Sequence, residues 1–66
     1  MKLLIIKSGK DYIRFKDNSY LTVQLDKASV YPFDHMEMVQ QHQTSLKEQG
    51  FKNISIKKLI LTEEDL

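Results

Sequence analysis

The chain has no cysteine, one proline and two glycines among its 66 residues. The missing cysteine excludes a disulfide framework and every thiolate metal site, the two commonest reinforcements of small domains. A chain near this size buries only about 60% of the surface its unfolded form exposes, so packing or association must supply the remaining stability. Two cores or an enclosed active-site cleft do not fit into it. Long apolar runs are also missing. Leu3-Leu4-Ile5-Ile6 falls short of the roughly 7–15 residues at the centre of a signal peptide, and no stretch approaches the ~18 of a membrane span. A cytoplasmic, non-membrane domain over residues 1–61 is therefore expected, followed by an acidic tail over residues 62–66.

Charge of one sign is absent too. Ten basic side chains stand against nine acidic ones, a net of +1, so no global field steers the chain to nucleic acid or an anionic membrane. The distribution is uneven: residues 1–33 carry a cationic excess and residues 34–66 an acidic one, with Glu63, Glu64 and Asp65 close together.

No motif carries catalysis. Ser8, Ser19, Ser29, Ser45 and Ser55 have no nucleophile elbow around them, and the Ser8-Gly9-Lys10 turn is not a phosphate loop. His35 and His42 are the only imidazoles; seven positions along a helix separate them by about 10.5 Å, too far to share a metal ion. No enzyme, cofactor or metal site is expected.

What is there reads as secondary structure. Lys2–Lys7 and Asp11–Lys16 flank the Gly9 turn as a β-hairpin, with Ile13 and Phe15 on one face of the second strand and Tyr12, Arg14 and Lys16 on the other. Asp17-Asn18-Ser19 is a second turn signal, and Tyr20–Leu25 alternates again as a third strand. Residues 26–33, with Pro32, read as a connection. Asp34 has the character of a helix N-cap, with Glu37 completing a capping box. Gly50 supplies the stop, with Phe51 packing back on Leu46. The helix spans 35–49 and turns Met38, Val39, His42 and Leu46 to the sheet. A last strand, Asn53–Leu61, puts Ile54, Ile56 and Ile60 on one face and Leu59 and Leu61 on the other, with a bulge near Lys57-Lys58.

The expected fold is a small α+β domain, β-β-β-α-β. Its four-stranded mixed sheet has the order 3-2-1-4, with the last strand parallel to the first and the helix on one face. That arrangement leaves a surplus. Whichever of Leu3/Ile5 or Leu4/Ile6 the helix covers, the other pair faces away from it together with Leu59 and Leu61. Leu3, Ile5, Leu59 and Leu61 are taken as that set, with Leu4 and Ile6 as the alternative pair. Burying each is worth about 1.5–3 kcal/mol, a large share of a stability near 5 kcal/mol. A second copy or another protein docking there is the expected use of the face, with cover from residues 26–33 or from the tail as the intramolecular counterpart. The alternative is a nucleic-acid-binding regulator using Tyr12, Arg14, Lys16 and Tyr20, two aromatic platforms beside two cations.

Overall fold

In the computed structural model, which describes residues 2–60, two tight turns set the register of the first three strands. Strand β1 (Lys2–Ser8) and strand β2 (Asp11–Lys16) pair antiparallel about Gly9-Lys10, with Ser8 opposite Asp11. Gly9 sits at φ +60°, the first central position of a primed hairpin turn, where a Cβ is costly. Between β2 and strand β3 (Ser19–Val23), Asp17 and Asn18 both take positive φ, 53° and 59°. Aspartate and asparagine are the residues that tolerate this at both centres of a type I′ turn.

The hairpin then opens. Beyond Lys7 and Tyr12, β1 no longer pairs with β2; Leu3, Leu4 and Ile5 instead pair with Pro32, Tyr31 and Val30 of a short fourth strand, β4 (Val30–Pro32). Ser29 fastens the fork: its amide donates to the Ile13 carbonyl (3.1 Å) and its hydroxyl accepts from the Phe15 amide (2.9 Å). Groups of β2 that a longer hairpin would have spent on β1 are thereby satisfied. The last strand, β5 (Ile54–Ile60), pairs with β1 along its whole length, Lys2 opposite Ile60 through Ser8 opposite Ile54. A strand has two hydrogen-bonding edges, so β5 takes one and β2 and β4 share the other.

Helix α1 (Met36–Glu48) connects β4 to β5. It ends as a Schellman motif: the Phe51 amide donates to the Leu46 carbonyl (3.0 Å), the Gly50 amide donates to the Lys47 carbonyl (3.2 Å), and Gly50 stands at φ +94°. Its start differs from expectation. A 3₁₀ turn over Phe33–His35 precedes the helix, His35 is the N-cap and no side chain caps it. Such a turn tightens the helix entry, and Asp34 lies within it instead of at the cap.

Three further expectations are corrected. The sheet has five strands and not four, because Val30–Pro32, within the segment read as a connection, pairs with β1. The sheet is antiparallel throughout, including β5 against β1, and is not mixed. A helical return does leave β5 parallel to the strand before the helix, but that strand is β4 and not β3, and β4 runs opposite to β1. There is also no bulge at Lys57-Lys58, because β5 keeps one register from end to end. The order β3-β2-β1-β4, with β5 on the free edge of β1, otherwise matches the expected placement of the last strand beside the first. No helix among the described residues is long and apolar enough to cross a membrane.

The core lies between α1 and one sheet face. Leu4, Ile6 and Ile13 meet Val39 and Leu46, all essentially inaccessible, with Tyr20, Tyr31, Met36, Phe51, Ile54 and Ile56 packed around them. Met36 joins this group in place of Met38, which is exposed.

Candidate interaction surface

Residues directly opposite in a ladder share a face, so the registers sort every strand position. Leu4 and Ile6 face the helix. The opposite face carries Leu3, Ile5 and Lys7 of β1. In register with these stand Leu59, Lys57 and Ser55 of β5, and Pro32 and Val30 of β4. Tyr12, paired with Lys7, begins the β2 contribution, which continues through Arg14 and Lys16 beside Val23, Leu21 and Ser19 of β3. Three of the four aliphatics taken from the sequence, Leu3, Ile5 and Leu59, are brought together here, Leu3 directly across from Leu59. Leu61, like the acidic segment 62–66, lies outside the described residues.

The face is less open than four bare aliphatics. Ile5 is only 2% exposed, and stands between Val30 on one side and Lys57 on the other. Leu3 and Leu59 are half-buried, while Val30 and Leu21 keep 49% and 45% of their surface. The segment 26–33 does not fold over the face as a lid; its apolar part enters the sheet as β4 and widens it. Only the 3₁₀ turn Leu25–Lys27 approaches, where the Arg14 guanidinium donates to the Lys27 carbonyl (3.3 Å). Among the described residues no helix or second sheet covers this side.

The set Tyr12, Arg14, Lys16 and Tyr20 does not assemble. Tyr20 is paired with Phe15 and so faces the helix. There its hydroxyl and the His42 Nδ1 lie 2.7 Å apart and share a hydrogen bond. The ring packs against Phe15 (centroids 4.9 Å apart) and edge-on to His42 (5.6 Å) and Phe51 (6.3 Å). His42 also touches Phe15 and Tyr31, so this histidine is a polar centre of an aromatic cluster. Burial pushes the neighbouring Tyr31 phenol up from its ordinary value, with a hydrogen bond from Ser29 opposing and the nearby Tyr20 adding to the effect. Tyr12 stays on the open side, but the Lys7 ammonium lies 5.1 Å from its ring centroid and occupies one π-face.

Elsewhere, Asp34, His35, Glu37, Met38 and Gln41 line a shallow, open depression at the start of α1. His35 and Asp34 make a loose, exposed contact of 3.8 Å. Among the described residues no three His, Asp or Glu side chains converge as a metal-binding group.

Sequence reading missed Val30 and Lys57 as members of the open face. Lys57 was within reach, two positions from Leu59 on an unbroken strand. Val30 was not, since its place depends on the opening of the β1–β2 hairpin. No protein-family model matches this chain, and neither curated proteins nor solved structures provide a match.

Proposed function

We propose that the chain is a small, non-enzymatic interaction module that docks on a protein through the sheet face opposite α1. The observation that supports this reading most is the asymmetry of the sheet. α1 covers the centre of one face and leaves Phe15 and Ile60 exposed at its margins, whereas the other carries Leu3, Leu59, Val30 and Leu21 partly exposed with no second layer among the described residues. Sheets in small domains are built to be covered on their apolar faces, and a contiguous apolar area left bare marks a contact surface. Leu3 and Leu59 form the centre of the proposed contact, with the exposed Val30 beside the buried Ile5.

Leu59→Lys tests it. The side chain is half-buried at the end of β5, so the domain is expected to stay folded by circular dichroism while association, with itself or with a partner, is lost. Light scattering that shows a monomer in the wild type, together with a Leu59→Lys variant equal to it in solubility and in every binding assay, would contradict the reading.

The nucleic-acid alternative keeps Arg14 and Lys16 but loses its stacking platforms, since Tyr20 faces the helix and Tyr12 is shared with Lys7. Binding by phosphate contacts alone would weaken steeply with salt and fall on Arg14→Ala.

A further inference from the structure

Every charged side chain that the strands place on the open face is a cation: Lys7, Arg14, Lys16 and Lys57. Among the described residues one carboxylate comes near, Asp26 in the 3₁₀ turn that approaches Arg14, and it makes no ion pair there. The others are elsewhere: Asp17 and Asp34 sit in turns, Glu37 and Glu48 on α1, and Asp11 at the start of β2, in register with Ser8 on the helix side. Among the described residues the one ion pair is His35 with Asp34, so none of the four cations has a carboxylate partner there. Apolar and basic positions also alternate in register: Lys57, Ile5 and Val30 form one row across β5, β1 and β4, next to the row Leu59, Leu3 and Pro32.

Resting on the docking role proposed above, we infer that the partner is a protein segment both apolar and acidic, and not a second copy of this chain. An apolar anchor seated over Leu3 and Leu59 places a neighbouring carboxylate within reach of Lys57, and a longer segment reaches Lys7 and Arg14. A second copy fits poorly, because a two-fold contact sets the same patch on itself and brings cation against cation. Nucleic acid would satisfy the cations but leave Leu3, Leu59 and Val30 without a matching surface.

The test is selection from a display library of random short peptides on the full chain, repeated on the double variant Lys16→Glu/Lys57→Glu and on Leu59→Lys. Lys16 and Lys57 are both exposed, so the double variant should retain the wild-type circular dichroism spectrum. Peptides rich in carboxylates and aliphatics are expected, with affinity falling roughly tenfold on the double variant and falling again as salt is raised. Neutral or basic peptides that lose binding on Leu59→Lys would overturn the acidic partner while leaving the docking face intact. Peptides indifferent to all three substitutions would overturn both. A concentration-dependent dimer abolished by Leu59→Lys would replace the acidic partner with a second copy. Tighter capture of single-stranded DNA or of anionic phospholipid vesicles than of any selected peptide would also overturn the inference.

Discussion

The two faces of one sheet use neighbouring residues of the same strand in opposite ways. On the helix side, Leu4 and Ile6 meet Val39 and Leu46, and the margin holds Phe15, Tyr20 and Tyr31 around His42, with Phe51 edge-on to Tyr20. On the other side, Leu3 and Ile5 have, among the described residues, their cross-strand neighbours, and Lys57, Lys7, Arg14 and Lys16 stand around them. Both faces hold β-sheet aliphatics, so hydrophobicity alone does not separate them. The difference lies in what completes each: a second layer and aromatic rings on one, and on the other cations that have no carboxylate partner among the described residues. In a domain whose total stability is of order 5 kcal/mol, the helix-covered face is expected to hold the fold and the bare one to be spared for contact.

The comparison is broken most severely at Leu46. Truncation to alanine removes a fully buried side chain and should cost about 2–5 kcal/mol, enough to leave the chain largely unfolded in a urea titration. A loss below 1 kcal/mol would mean that the helix-side core is not what holds the fold.

Next in size is Tyr20→Phe, which removes the hydroxyl that bonds the His42 Nδ1 and keeps the ring. A loss of about 1 kcal/mol in chemical denaturation is expected. Gly50→Ala should cost a similar ~1 kcal/mol, because Gly50 has φ +94° while an added Cβ would meet nothing within 4 Å. The penalty there is purely one of backbone conformation, so Gly50→Asn, which tolerates this region better, should recover part of it.

A smaller effect concerns pH. The Tyr31 phenol titrates above its unfolded value because it is partly buried, so the unfolded chain loses this proton first as pH rises. The resulting stabilisation is fully present below the unfolded pKa, near 10, and disappears as pH climbs through the folded value. Tyr31→Phe should flatten that alkaline decline when melting is followed above pH 9, and an unchanged decline would remove Tyr31 from the account.

The smallest expected effect on stability is at Leu59→Lys, within about 1 kcal/mol, although its effect on association should be the largest of all. That reversal of rank between Leu46 and Leu59 is what separates a structural face from a contact face.

Much of this was legible in the residues. Gly9 and the Asp17-Asn18 pair announced their turns through the positive φ they accept, and Gly50 with Phe51 announced the helix ending, since each is a local demand on one or two residues. The period-2 pattern put one alternate pair of β1 on a face with Leu59, but β1 is apolar on both faces, so the choice of Leu3 and Ile5 over Leu4 and Ile6 is settled only by the register with β5. What escaped was long-range. Strand β4 is three residues ending in proline, too short for a pattern, and it exists because Ser29 holds the opened hairpin. Missing it reversed the deduced direction of β5, and it concealed Val30 as a neighbour of Ile5. Tyr20 was misplaced for a related reason. Its face is set by the Asp17-Asn18 turn, which puts it opposite Phe15, and counting along β3 alone does not reveal that pairing.

A methyl-resolved NMR titration of the full chain with an acidic, leucine-containing synthetic peptide tests the central claim most directly. Saturable shifts at Leu3, Ile5, Val30 and Leu59, with Leu4, Ile6, Val39 and Leu46 unmoved, are the predicted result. Shifts that gather at Met38 and Ile60 on the helix side, or that leave Ile5 and Leu59 untouched at saturation, would contradict it.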